Sequence, residues 1–253
     1  MQVTTHGHGD TSLVEKELRS RTLYSRLIGA LFLAGFLLYG SGSLLVDSIT
    51  GEPDFVSTIP EQETALVLGA FLMLLNTGVD VGKGVLFFPI LEGHGKRTAL
   101  VYLAALIVQV VFLDIGVLFL LMLVPLGELA VEGGGASPEF ATGLASLLTD
   151  SNTISYNIGQ AVLSFGGVFL CWLLFRTGLI PRALAALGVV GYVLHGVGSI
   201  AEIFGIPIGL ILLIPGGIFE LGLAFWLLIK GFQPEAYAEG FRSPVSASRP
   251  RPG

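Results

Sequence analysis

The chain has 253 residues, 53% of them hydrophobic and only 13% charged, with a mean hydropathy of +0.80 and a formal net charge of −6. Soluble domains carry about 25% charged residues, so a water-soluble fold is excluded and the bilayer is the natural solvent. A single cysteine, Cys171, excludes an intrachain disulfide and a multi-cysteine metal site.

Residues 1–22 are polar and lack the short apolar core and small-residue cleavage site of a secretory signal. They read as a disordered cytoplasmic segment in which His6 and His8 would hold a metal only weakly. Residues 23–232 then form one membrane domain. A spanning helix needs roughly 20 mostly apolar residues, and six stretches qualify: 24–46, 64–91, 98–125, 155–175, 181–203 and 206–230. They are too long and continuous for barrel strands. The expected fold is therefore all-α, a polytopic bundle of six transmembrane helices. Residues 233–253, rich in Pro, Ser and Arg, read as a disordered cytoplasmic tail.

Cytoplasmic loops concentrate Lys and Arg. Twelve of the thirteen basic residues fall on one side of the six-span arrangement, from Lys16 and Arg19 through Lys96, Arg97, Arg176 and Arg182 to Arg251. The thirteenth, Lys83, lies inside span two. The opposite loops carry only acids, among them Asp47, Asp54, Glu128 and Asp150. Both termini are expected inside, in the cytoplasmic (inner) membrane of a prokaryote.

Polar residues inside the spans carry what functional signal there is. Span two holds Asn76, Asp80 and Lys83 on one helical face, with Lys83 one turn from Asp80. Span three adds Gln109 and Asp114, which point about 140° apart and cannot line one crevice. Span four shows Thr153, Asn157, Gln160, Ser164 and Cys171, with Cys171 read as an inert thiol. Span five shows Tyr192, His195, Ser199 and Glu202, and span six places Glu220 just after Pro215–Gly217. A charge at the centre of a spanning helix costs about 2.5–3.5 kcal/mol, so these groups are expected to face each other or water. Pro215 removes a backbone donor and should kink span six beside Glu220. The spacings Gly78–Gly82 and Gly205–Gly209 indicate close helix packing.

"GFLLYGSGS" (35–43) in span one matches "GYVLHGVGS" (191–199) in span five, and "DVG" (80–82) in span two matches "ELG" (220–222) in span six. Tyr39 then aligns with His195 and Asp80 with Glu220, as a parallel hairpin repeat about an axis along the membrane normal. Chance alignment of apolar sequence accounts for the match equally well. If the repeat holds, the two carboxylates approach one another and share a proton.

The expected cavity comprises Asn76, Asp80, Lys83, Asn157, Gln160, His195, Glu202 and Glu220. No cofactor, metal or catalytic set is expected: GxSxG, P-loop, HExxH and CxxC motifs are absent, and one histidine within the spans is too few for zinc. Nucleic-acid binding has no support. Three functions stay open. The first is binding or transport of a small solute or proton. The second is a non-catalytic role as a membrane partner or oligomeric assembly subunit, with the polar groups fixing helices. The third is an intramembrane enzyme using its carboxylates.

"RTGLIPRALAALGVVGYVL" (176–194), "FELGLAFWLLIKG" (219–231) and the acid-bearing second span around Asp80 resemble a bacterial integral membrane family known as domain of unknown function 4386. Lys83 and Pro89 depart from the usual apolar second span. The resemblance implies a six-helix membrane fold and no particular activity.

Overall fold

The computed structural model describes residues 7–52, 54–131 and 137–241, with side chains from residue 19 onward. His6 and the tail arginines Arg242, Arg249 and Arg251 lie outside the described residues, as do the side chains of His8 and Lys16. The described elements are all helical: α1 (Gly7–Thr50), α2 (Phe55–Leu121), α3 (Leu123–Val131), α4 (Pro138–Thr177), α5 (Arg182–Ile203), α6 (Gly209–Ile229) and α7 (Pro234–Phe241). Five helical stretches are long and apolar enough to cross a membrane, where six were expected from the sequence.

The difference arises at Gly95. Expected spans two and three run together as α2, and Gly95 alone leaves helical geometry, with φ −178° and ψ 82°. In a straight helix Asp80 and Gln109 would stand about 44 Å apart, yet Gln109 Nε2 donates to Asp80 Oδ2 at 3.4 Å. The Phe87 and Tyr102 rings meet at 5.9 Å. The chain therefore folds back at Gly95 into two legs, residues 55–94 and 96–121. Leu103 and Leu106 of the second leg fill the space left by Gly84 of the first.

Two apolar clusters stack along the bundle. One gathers Ile28, Phe32, Phe87, Tyr102, Leu170, Phe219, Leu223, Phe232 and Tyr237, at the end where α1 begins and α6 finishes. The other gathers Val46, Ile49, Ile59, Leu66, Val117, Leu120, Leu126 and Ala145, all from α1 to α4. The 22-residue α5 and 21-residue α6 contribute nothing to it, so the longer helices project past them. The acids of the opposite loops ride on this projection. Between the clusters, where buried residues pass from Met73 to Phe87 on the first leg, lie Asn76, Asp80 and Lys83.

Two further expectations need correction. The segment 234–241, read from the sequence as disordered tail, is helical, with Ala236 and Tyr237 buried. Residues 7–22, likewise expected disordered, continue α1. Pro215, where a kink is expected, lies inside the continuous helix Gly209–Ile229. A Cβ on Gly191 would lie 2.8 Å from Gly216 Cα and 3.0 Å from the Pro215 carbonyl carbon. The neighbouring backbone braces the proline from outside, and spanning helices tolerate proline when surrounding groups replace what it removes.

Candidate functional site

Gly35 sets the local geometry. A Cβ there would come within 3.0 Å of Asn76 Oδ1 and 3.7 Å of Lys83 Nζ, so the glycine lets α1 close over this face of the first leg without pressing on Asn76. Asn76, Asp80 and Lys83 then form one buried stripe. Lys83 Nζ lies 2.5 Å from Asp80 Oδ1 and 4.6 Å from the centroid of the Phe32 ring, a cation–π contact. Asn76 Nδ2 donates to Asp80 Oδ2 at 3.2 Å, joining the donation from Gln109 to the same oxygen. A buried charge persists where it is paired and hydrogen-bonded, and Asp80 has both.

Glu220 reaches the same space from α6. Tyr192 Oη donates to Glu220 Oε1 at 2.7 Å, and no other hydrogen bond to Glu220 occurs among the described residues. The Tyr192 ring is fixed by Gly167, where a Cβ would lie 2.6 Å from it, and by an edge contact with Phe219. Glu220 is deep in the bundle but only half-buried, because its carboxylate borders a cavity.

That cavity has a volume of about 410 Å³ and lies among α1, both legs of α2, α4, α5 and α6. Six of the eight residues expected to line it do so: Asn76, Asp80, Lys83, Gln160, His195 and Glu220. Two do not. Asn157 turns to its own helix, where Nδ2 donates to the Thr153 carbonyl at 3.0 Å. Glu202 caps α6, with Oε1 accepting from the Gly209 N–H at 2.8 Å. Gln109 lines the cavity and Asp114 faces Thr77 instead, as their angular separation required.

Four polar groups on the wall were not expected there, one of them Ser43, whose hydroxyl donates to Asp47 Oδ2. Gln109 arrives through the fold-back at Gly95. Tyr39 and Tyr156 stack on each other, with centroids 5.5 Å apart and planes at 25°. The alignment of Tyr39 with His195 pointed to the first. The second sits four residues before Gln160, so the cavity face of α4 is Tyr156, Gln160 and Leu163, about 100° from the face that includes Asn157. Apolar groups, among them Phe32, Phe36, Leu113 and Leu213, complete the lining. Gln109 Oε1 is buried without a hydrogen-bond partner.

This arrangement offers two carboxylates from separate helices, one ammonium and an imidazole around a space large enough for a small molecule. No group of three or more His, Cys, Asp or Glu suited to a metal occurs among the described residues. Neither curated proteins nor solved structures match the chain. A family model described as "Domain of unknown function (DUF4386)" matches residues 27–231, most of the chain, and the protein belongs to that family.

Proposed function

We propose that the protein is a six-crossing bundle of a prokaryotic cytoplasmic membrane, both termini inside, whose cavity binds a small solute together with a proton shared by Asp80 and Glu220. One observation carries this reading: the two acids, on different helices, border one cavity that contains a single lysine. Two carboxylates and one ammonium leave one negative charge unmatched. An unmatched charge in a low-dielectric interior is costly, and a proton removes it. His195, on the same wall, offers a second place for that proton.

The fold-back at Gly95 supports the count of six crossings, and the one-sided basic residues support the orientation. Corresponding close contacts support the hairpin repeat. A Cβ on Gly42 would meet the Gly69 carbonyl oxygen at 2.7 Å, and one on Gly198 would meet Gly209 Cα at 3.1 Å. Gly69 and Gly209 each precede an acid, Asp80 or Glu220, by eleven residues. Likewise Gly35 packs on Asn76, and Gly191 on Gly216, the position four residues before each acid. The cavity then lies between two like hairpins, where repeat-built transporters place their sites.

The full set of partners around Asp80 also fits a scaffolding role, in which the cluster only fixes helices. Infrared difference spectroscopy separates the two readings. A protonated carboxyl band should be present in the wild type at neutral pH and shift or vanish in Glu220→Gln or Asp80→Asn. If neither substitution changes the carboxyl region, the shared proton is refuted and scaffolding takes its place. Cysteine labelling in a Cys171→Ser background tests orientation: Asp54→Cys should react from outside and Phe241→Cys from inside.

A further inference from the structure

α1 and α6 are in tight contact at one end and part at the other. A Cβ on Gly29 would lie 2.8 Å from the Ala224 carbonyl oxygen, so the helices touch there. Farther along, Gly40 on α1 and Gly217 on α6 both border the cavity, and a Cβ on either would meet nothing within 4 Å. The cavity-lining residues beside this gap include Phe36, 38% exposed, and Leu44, 72% exposed. Ile214 and Ile218 on α6 are likewise exposed. Exposed apolar side chains on a membrane bundle face acyl chains, so the cavity opens sideways toward lipid.

The interior is suited to a positive charge. Its one cation, Lys83, is engaged by Asp80 and by the face of Phe32. Glu220 is held by Tyr192 alone among the described hydrogen bonds. Phe32, Phe36, Tyr39 and Tyr156 supply aromatic walls. Carboxylates with aromatic faces recognise organic cations, whereas an anionic ligand would meet two acids across one already paired lysine.

Building on the shared-proton reading, we propose that the cavity takes a monovalent amphiphilic organic cation, a lipophilic amine or quaternary ammonium, which enters from the lipid between α1 and α6. The cation takes over the unmatched charge and the shared proton leaves to water, so the net charge of the cavity is unchanged. The titratable groups around the exchanging proton are Asp80, Lys83 and Tyr102 of α2, Glu220 of α6, His195 and Tyr192 of α5, Tyr39 of α1, and Tyr156 and Cys171 of α4.

The test is calorimetric titration of benzyltrimethylammonium into the purified full-length protein in uncharged detergent, with the neutral carbon isostere neopentylbenzene for comparison. Expected is saturable binding of the cation with proton release, read from the dependence of the heat on buffer ionisation. Glu220→Gln should weaken binding by roughly tenfold or more, Glu220→Asp should retain most of it, and Lys83→Gln, which removes the competing resident cation, should tighten it. Gly217→Leu, which fills the opening, should abolish binding while the carboxyl infrared band persists. Equal binding of neopentylbenzene would overturn the cation class but keep the cavity as a binding site. Failure of the cation to bind a protein that retains the infrared band would overturn this inference alone. Loss of both signals in a monodisperse wild-type sample would overturn the shared-proton reading as well.

Discussion

Asp80 is tolerated in an apolar helix because Lys83, Asn76 and Gln109 converge on it. Removing one member of a buried ion pair costs about 3–5 kcal/mol, since the other is left uncompensated. Lys83→Gln and Asp80→Asn are each expected to lower the unfolding midpoint in detergent, and the double variant should recover much of the loss. Additive losses would mean that the pair is not coupled. Glu202 has a different task, satisfying an N–H at the start of α6. Glu202→Ala should cost about 1–2 kcal/mol of stability, as lost caps do, and leave cation binding in the cavity unchanged. The sequence does not separate these two acids, since both lie on polar stripes of spanning helices. Their hydrogen-bond partners separate them, and those depend on where the neighbouring helices end.

The contacts between elements run through glycines. A Cβ at Gly42 or Gly191 would press on backbone atoms of the neighbouring helix at 2.7 or 2.8 Å, and backbone cannot give way without moving the helix. Alanine at either position is expected to destabilise by about 1–3 kcal/mol, the range for overpacking. At Gly40 and Gly217, with open space around them, alanine should be neutral or stabilise by up to about 1 kcal/mol through helix propensity. Thermal unfolding of the four variants tests the contrast, and equal losses at all four would refute it. Apolar runs long enough to span a membrane made the helices legible from sequence, and the i, i+3, i+4 spacing made most of the cavity face legible. The face of α4 was misjudged by one residue because Asn157 looks functional while its amide merely bonds its own helix. The reversal at Gly95 falls in the basic loop expected between spans two and three; what the sequence does not show is that it brings Gln109 against Asp80. The close approach of α5 to α6 at Pro215 and Gly216 depends on the glycine at 191.

Across the whole molecule, residues 20–25 of α1 meet the segment that follows α6. Arg21 Nη1 donates to the Phe232 carbonyl at 2.6 Å, Ser25 Oγ accepts from the Phe232 N–H at 3.0 Å, and Ser20 bonds Tyr237 on α7. α7 also covers the fold-back, where Gly240 packs on Gly93 and His94. His94 lies at the fold-back, beyond the apolar stretch 64–91, and burial holds its imidazole below the usual histidine range despite the opposing Glu239 carboxylate and Ala236 backbone. A histidine depressed in this way stabilises the docked form least when it must charge. Docking of α7 should therefore weaken as pH falls through about 6.5, the unfolded histidine value. Limited proteolysis near residue 241 should accelerate below that pH in the wild type and lose the dependence in His94→Gln, and a pH-independent rate in the wild type would refute the switch. The contact between α1 and α6 also bears on biosynthesis. A ribosome delivers α1 before α6, so the face of α1 around Gly29 and Phe32 stays uncovered until α6 has been made. The Asp80–Lys83 pair is complete within a single turn, whereas Glu220 meets its cavity only once α6 is in place. A nascent chain stalled before α6 would display an open seam along α1, a natural mark for membrane quality control.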